Sequence, residues 1–207
     1  MSARALEVSG GVRRAVDSRP LLWLILTVPG AVLLVGWISD AFTYGRVVTD
    51  TGHWAAWLLM FTLAVTPLRL IFKRGAWLVW LVRRRRNFGV ASFAYAVAHT
   101  LVYVFKKQDL LLIVQEAAEP WLWAGWLALL AFIPLAVTST DAAVRALRQW
   151  WKPLHRLVYV AAVLVFVHWA LSAFDPLIAY LNIAVLAALE AVRVGLQLSR
   201  RSSRRSR

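Results

Sequence analysis

Residues 153–172 read PLHRLVYVAAVLVFVHWALS, twenty residues with a single charge, Arg156, and with histidines near both ends, His155 and His168. About 20 mostly apolar residues is what a helix needs to cross a bilayer core, and an imidazole within such a run is costly unless something uses it. The two histidines are thirteen residues apart, roughly 20 Å along a helix axis at about 1.5 Å per residue. The spacing predicts two ligand positions near opposite faces of a membrane.

The rest of the chain has the same character. Of its 207 residues 61% are apolar and twelve are tryptophan, more than a soluble core calls for. Apolar runs of about 17 or more residues predict six spans: Leu21 to Ser39, His53 to Phe72, Phe88 to Phe105, Trp121 to Val137, Pro153 to Ser172 and Pro176 to Val192. Strand-like alternation is missing, so helices are expected rather than a barrel. No small-residue cleavage site follows the first run before Asp40, which is therefore read as a retained helix and not a signal peptide. The expected fold is all-α, a polytopic membrane protein built as a six-transmembrane-helix bundle. An arm over 1–20, a membrane domain over 21–197 and a basic, disordered tail over 198–207 make up the expected organisation.

A net charge of +14 would ordinarily suggest nucleic acid, so the placement of the basic residues decides the matter. Of the 24 Lys and Arg, 21 fall in the N-terminal arm, the second and fourth connections with their flanks, and the C-terminal end; only Arg46, Lys106 and Lys107 fall opposite. Such a split over short loops is a positive-inside signal: both termini are expected in the cytoplasm, the lipid bilayer is the partner, and no nucleic acid is. The run Arg83 to Arg86 reads as an anchor to anionic headgroups, and the Ser/Arg tail likewise. Tryptophans such as Trp54, Trp121, Trp123, Trp150 and Trp151 read as interfacial belts.

Topology then gives each histidine a depth. His168 lies about four residues from the periplasmic end of span five, and His99 about six from the same end of span three, which runs in the same direction. Two neutral imidazoles at matched depth on neighbouring helices are the arrangement that binds a haem iron from both sides. A lone intramembrane histidine can instead hydrogen-bond a backbone carbonyl; the coincidence of two favours the iron. His155 lies at the cytoplasmic start of span five beside Lys152 and Arg156, and His53 beside Gly52 and Trp54 reads as an interfacial residue rather than a ligand. About 100° per residue places His155 and His168 about 140° apart around a straight helix, unless a kink near Pro153 changes the register.

The chain contains no cysteine, which excludes thiolate iron–sulfur ligation, a covalent CxxCH haem and disulfides. Any haem is b-type. No GxGxxG, GxxxxGK[ST] or GxSxG element appears. A small-molecule transporter, the reading from another class, would bring broken helices, inverted repeats and paired acids within the spans; only Glu190 lies well within one, with Arg193 three residues on to pair with it.

Arg85-Arg86-Asn87-Phe88-Gly89 leading to Phe93, Tyr95 and His99, together with Thr138, Ser139, Trp150, Leu154, His155, Leu157, Tyr159 and His168, resembles the MsrQ (YedZ) haem-binding subunits of the ferric reductase-like transmembrane superfamily. Val65-Thr66-Pro67-Leu68-Arg69 adds to the likeness, which spans roughly residues 40 to 190.

The resemblance implies an inner-membrane electron-transfer subunit, itself without a substrate-reducing site, in a bacterial oxidoreductase complex. It would pass electrons from a cytosolic flavin reductase or quinol, through haem b and with FMN also associated, to a periplasmic molybdopterin enzyme that reduces methionine sulfoxide in proteins. A stand-alone transmembrane ferric reductase or cytochrome b-like carrier is the neighbouring reading. Carried over by position, His99, His155 and His168 match the family's haem-ligating histidines. Two-haem members of the superfamily place paired histidines thirteen or fourteen residues apart on both the third and fifth helices. Here Arg86 and Arg85 stand at those distances before His99, and a guanidinium is no ordinary haem ligand. His99 with His168 is the better-supported pair; His155 is the candidate ligand of a second haem iron, its partner not a histidine of span three.

Overall fold

The computed structural model describes residues 18–72, 74–173 and 175–205. The basic arm as far as residue 17 lies outside the described residues, as do Lys73 and the last two positions. The first long helix, α1 (Arg19–Ile38), is capped by Ser18, whose hydroxyl accepts from the Leu21 N–H, with a proline in its first turn. There follow α2 (Tyr44–Phe72), α3 (Ala76–Lys107), the short α4 (Leu110–Glu116) capped by Asp109, and α5 (Pro120–Val137). Beyond them come α6 (Asp141–Leu147), a 3-10 turn, α7 (Trp151–His155), α8 (Leu157–Ser172) and α9 (Leu177–Arg205).

Five of these helices are long and apolar enough to cross a membrane, and the segments Asp141–His155 and Leu157–Ser172, bent by 42° at their junction, make a sixth when taken together. The chain is an all-α, multi-pass membrane protein. No strand occurs among the described residues. Large apolar side chains such as Leu24, Ile38, Leu130 and Val163 are exposed on the outside, where lipid rather than water is the fitting solvent.

The structure revises three sequence expectations. The stretch 153–172 is not one straight helix. Pro153 brings no N–H, and the chain turns through i to i+3 bonds, Arg156 N–H to the Pro153 carbonyl (3.1 Å) and Tyr159 N–H to the Arg156 carbonyl (3.0 Å), before α8 resumes. Second, α3 starts twelve residues before the predicted Phe88, because Leu78, Leu81, Arg84 and Phe88 continue one buried stripe through the basic run. Third, α9 continues to Arg205, past the expected end at Val192 and into the tail expected to be disordered. A helix once nucleated extends cheaply, arginine is a good helix former, and cations suit a helix C-terminus.

Two antiparallel pairs, α2 with α3 and α5 with α8, form the bundle's framework. Between them Leu59 and Leu63 of α2 are almost wholly buried against Phe132 of α5 and Ala162 of α8. Tyr95 of α3 holds α1 in place: its hydroxyl accepts from the Gly30 N–H (2.8 Å) and donates to the Leu26 carbonyl (2.8 Å). These are the groups of one helical rung beside Pro29, so the phenol bridges the ladder where the proline disturbs it.

Candidate cofactor site

His99, late in α3, projects onto α2. Its Nδ1 is 2.7 Å from the Val48 carbonyl, and one turn further along α2 the ring lies over Gly52, where an added Cβ would come within 3.1 Å of Nδ1. His168, late in α8, meets α5 in the same way: Nδ1 is 2.5 Å from the Trp121 carbonyl, and four residues on is Gly125, where a Cβ would come within 3.0 Å of Nδ1. Each histidine is therefore held by a carbonyl at one position and a glycine four residues later on the partner helix. The glycines are required by close approach.

A carbonyl only accepts, so each Nδ1 carries the proton, and each neutral imidazole keeps its lone pair on Nε2. A histidine donating its other N–H to a backbone carbonyl is the usual support of a metal-ligating ring. The two rings face each other across the pairs with centroids 6.0 Å apart and planes at 78°. Two imidazole nitrogens each about 2 Å from one metal place ring centres about 6 Å apart, as found.

The histidines open on a cavity of about 480 Å³, within the range of cofactor pockets. Small residues, Gly52, Ala55, Ala56, Ala96, Gly125 and Ala128, leave room on its walls, and the rest is mostly aromatic and aliphatic. Trp126 also lines it, with its buried Nε1 lacking a hydrogen-bond partner. Among the described residues there is no group of three or more His, Cys, Asp or Glu able to hold a bare metal ion. A porphyrin brings four equatorial nitrogens of its own and asks the protein only for axial ligands. The residues present fit a haem.

His53, expected at an interface, lies well inside α2, nine residues after its start. Its ring packs on Trp57 (5.4 Å) and Trp169 (4.8 Å), and it lines the same cavity. Tyr44 to Gly52 is helical but too polar to register as a membrane span, so α2 begins before the expected span.

His155 stands apart. Its ring stacks on Trp151 at 4.0 Å, and its Nε2 is 2.9 Å from the Thr138 hydroxyl. That hydroxyl gives its only proton to the Pro134 carbonyl at 2.6 Å, so it accepts from His155 and Nε2 carries the hydrogen. The nitrogen that is free in His99 and His168 is engaged here.

Around it the basic run is divided, with Arg83 and Arg86 exposed and Arg84 and Arg85 turned inward. Arg84 is buried, and Arg85 donates from Nε to the Thr62 carbonyl (2.9 Å) and from Nη1 to Thr66 (3.1 Å), beside Pro67. Arg86 pairs with Asp141 at 2.5 Å. Four consecutive residues on a helix point in four directions, so only part of the run faces outward. The expected pair of Glu190 with Arg193 is formed at 2.9 Å, and Arg193 also donates to the Tyr159 hydroxyl. Outside the spans, hydrogen bonds from Lys107 and Tyr103 hold the Glu116 carboxyl below the usual carboxylate range.

The family model described as ferric reductase like transmembrane component matches residues 51–166, which include His99 and His155 and stop two residues short of His168. Among curated relatives, the protein-methionine-sulfoxide reductase heme-binding subunit MsrQ of Ralstonia nicotianae is 37% identical over 189 residues, 87% of this chain and 84% of that one. The MsrQ of Rhizobium meliloti is 40% identical over 149 residues, 69% and 67% of the two chains. That of Brucella ovis is 32% identical over 199 residues, 89% and 87%. No solved structure matches the chain. By helix pattern, family model and extended identity alike, the chain belongs to the ferric reductase-like transmembrane family, among its MsrQ subunits.

Proposed function

We propose that the protein is the haem b-carrying electron-transfer subunit of a bacterial methionine sulfoxide reductase system in the inner membrane. The observation that carries this reading is the facing of two imidazoles, centroids 6.0 Å apart, each with Nδ1 on a backbone carbonyl. His99 and His168 hold the iron. Haem b, when bound, supplies a one-electron carrier in an apolar setting. The Val48 and Trp121 carbonyls keep Nε2 of each ring deprotonated and aimed inward. Phe132, Trp121 and the alanines of α2, α3 and α5 exclude water from between the rings.

The distribution of lysine and arginine supports placing both termini in the cytoplasm and the His99 and His168 end toward the periplasm. Electrons would then enter from a cytosolic flavin reductase or quinol, with FMN as an associated carrier, and leave to a periplasmic molybdopterin-containing methionine sulfoxide reductase subunit. The relatives' names support the methionine sulfoxide system. One haem per chain is the stoichiometry that the ring geometry favours. A second iron on His155 would have to displace the Thr138 hydrogen bond or use Nδ1.

The purified protein should show a Soret band and a reduced b-type α band, with one haem per chain by pyridine haemochrome. A protein without haem after expression in haem-replete cells would overturn the reading.

A further inference from the structure

The cavity between His99 and His168 is mostly apolar, and its charged lining residues, Lys107 and Glu116, stand together at one rim. His99, Tyr103 and Lys107 follow one another at intervals of four on α3, so Tyr103 and Lys107 stand about 6 and 12 Å further along the axis on nearly the same side. Both line the cavity, with Tyr44 from the first turn of α2 and Trp126 from α5, next to Gly125.

The rim is rich in donors. Lys107 has three N–H groups, of which the Glu116 carboxylate, 2.5 Å away, engages one; the same carboxylate accepts from Tyr103 at 2.8 Å. The Tyr44 hydroxyl has no hydrogen-bond partner among the described residues, and Lys106 stands over its ring at 5.9 Å. Lys107 and Glu116, which both line the cavity, balance one another, and Lys106 adds a positive charge beside Tyr44 but outside the lining.

We propose that Lys107 and Tyr44 form a carboxylate-binding site for the propionate groups of the porphyrin, a proposal that rests on the haem reading above. The site fixes which way the macrocycle lies: carboxylates toward the Lys107 end, bare edge toward the buried alanines. Glu116 holds Lys107 and Tyr103 in place without using Tyr44.

The test uses full-length protein made without haem in a haem-deficient host and kept in detergent. It is titrated with iron protoporphyrin IX and, separately, with its dimethyl ester, following the Soret band. Wild type should bind the diacid at least about tenfold more tightly than the diester, the scale of one charge-assisted hydrogen bond. Lys107→Gln combined with Tyr44→Phe should lose that preference while binding the diester as wild type does, which also shows that the variant is folded. Lys107→Arg should retain the preference. Equal affinity of wild type for the two porphyrins, or equal weakening of both in the double variant, would overturn the carboxylate site and leave the axial pair standing. Binding of neither porphyrin by wild type would overturn the haem reading and this site with it.

Discussion

The two ends of the bundle handle histidine in opposite ways. At the His99 and His168 end, each ring gives its Nδ1 proton to a carbonyl and lies on a glycine, so both Nε2 atoms are left free of those carbonyls on rings that line one cavity. At the His155 end, Nε2 itself is tied to Thr138 and the ring is stacked on Trp151. Where a second histidine on α3 would have to stand, Arg85 is bonded to the α2 backbone instead. Depth alone does not make a histidine a ligand; the hydrogen bond on its other nitrogen does.

The sharpest way to break this contrast is to remove the rings. His99→Ala or His168→Ala should abolish the low-spin Soret band, whereas His155→Ala should keep haem per protein near the wild-type value. Loss of haem in all three, by pyridine haemochrome, would show that the ends are not distinct. Next in size are the glycines. Gly52→Ala and Gly125→Ala push a methyl to about 3 Å from an imidazole, so the low-spin electron paramagnetic resonance signal should shift or broaden in both. Gly89→Ala, whose nearest contact would be Thr62 at 3.7 Å, should leave it unchanged.

Arg85→Met should sharpen the contrast from the other end. It leaves the Thr62 carbonyl without its charged donor, a loss on the order of 1.5–3 kcal/mol, so thermal unfolding in detergent should move down by several degrees while the Soret position stays. The smallest effect concerns the connection after α3. The Glu116 carboxyl is held low in the folded state, so its contribution is full above the unfolded-state pKa and is lost as pH falls through the folded one. Stability should decline on acidification below the ordinary carboxylate range, and Glu116→Gln should flatten that decline.

Much of this was legible in the chain. The apolar runs and the alternation of basic loops point to six crossings, and matched depth on helices of the same direction singles out His99 with His168. What supports those rings was not legible. Val48 and Trp121 act through their carbonyls, which no side-chain pattern displays, and Gly52 and Gly125 matter only once the register between helices is known. Composition reports charge without the direction of each side chain: Arg85 and Arg86 are turned onto α2 and Asp141. Pro153 marked a kink, while the size of the bend depends on the turn that follows it.

The matching construction of the two helix pairs has a consequence for biogenesis. Each pair carries one complete half-site, a histidine with its carbonyl and glycine, and neither pair holds an iron from both sides. A ligand bridging them would act as a clasp between the two helix pairs, its binding adding to the stability of the docked arrangement alone. Retention of such a ligand would then report that the two pairs have met in the correct register.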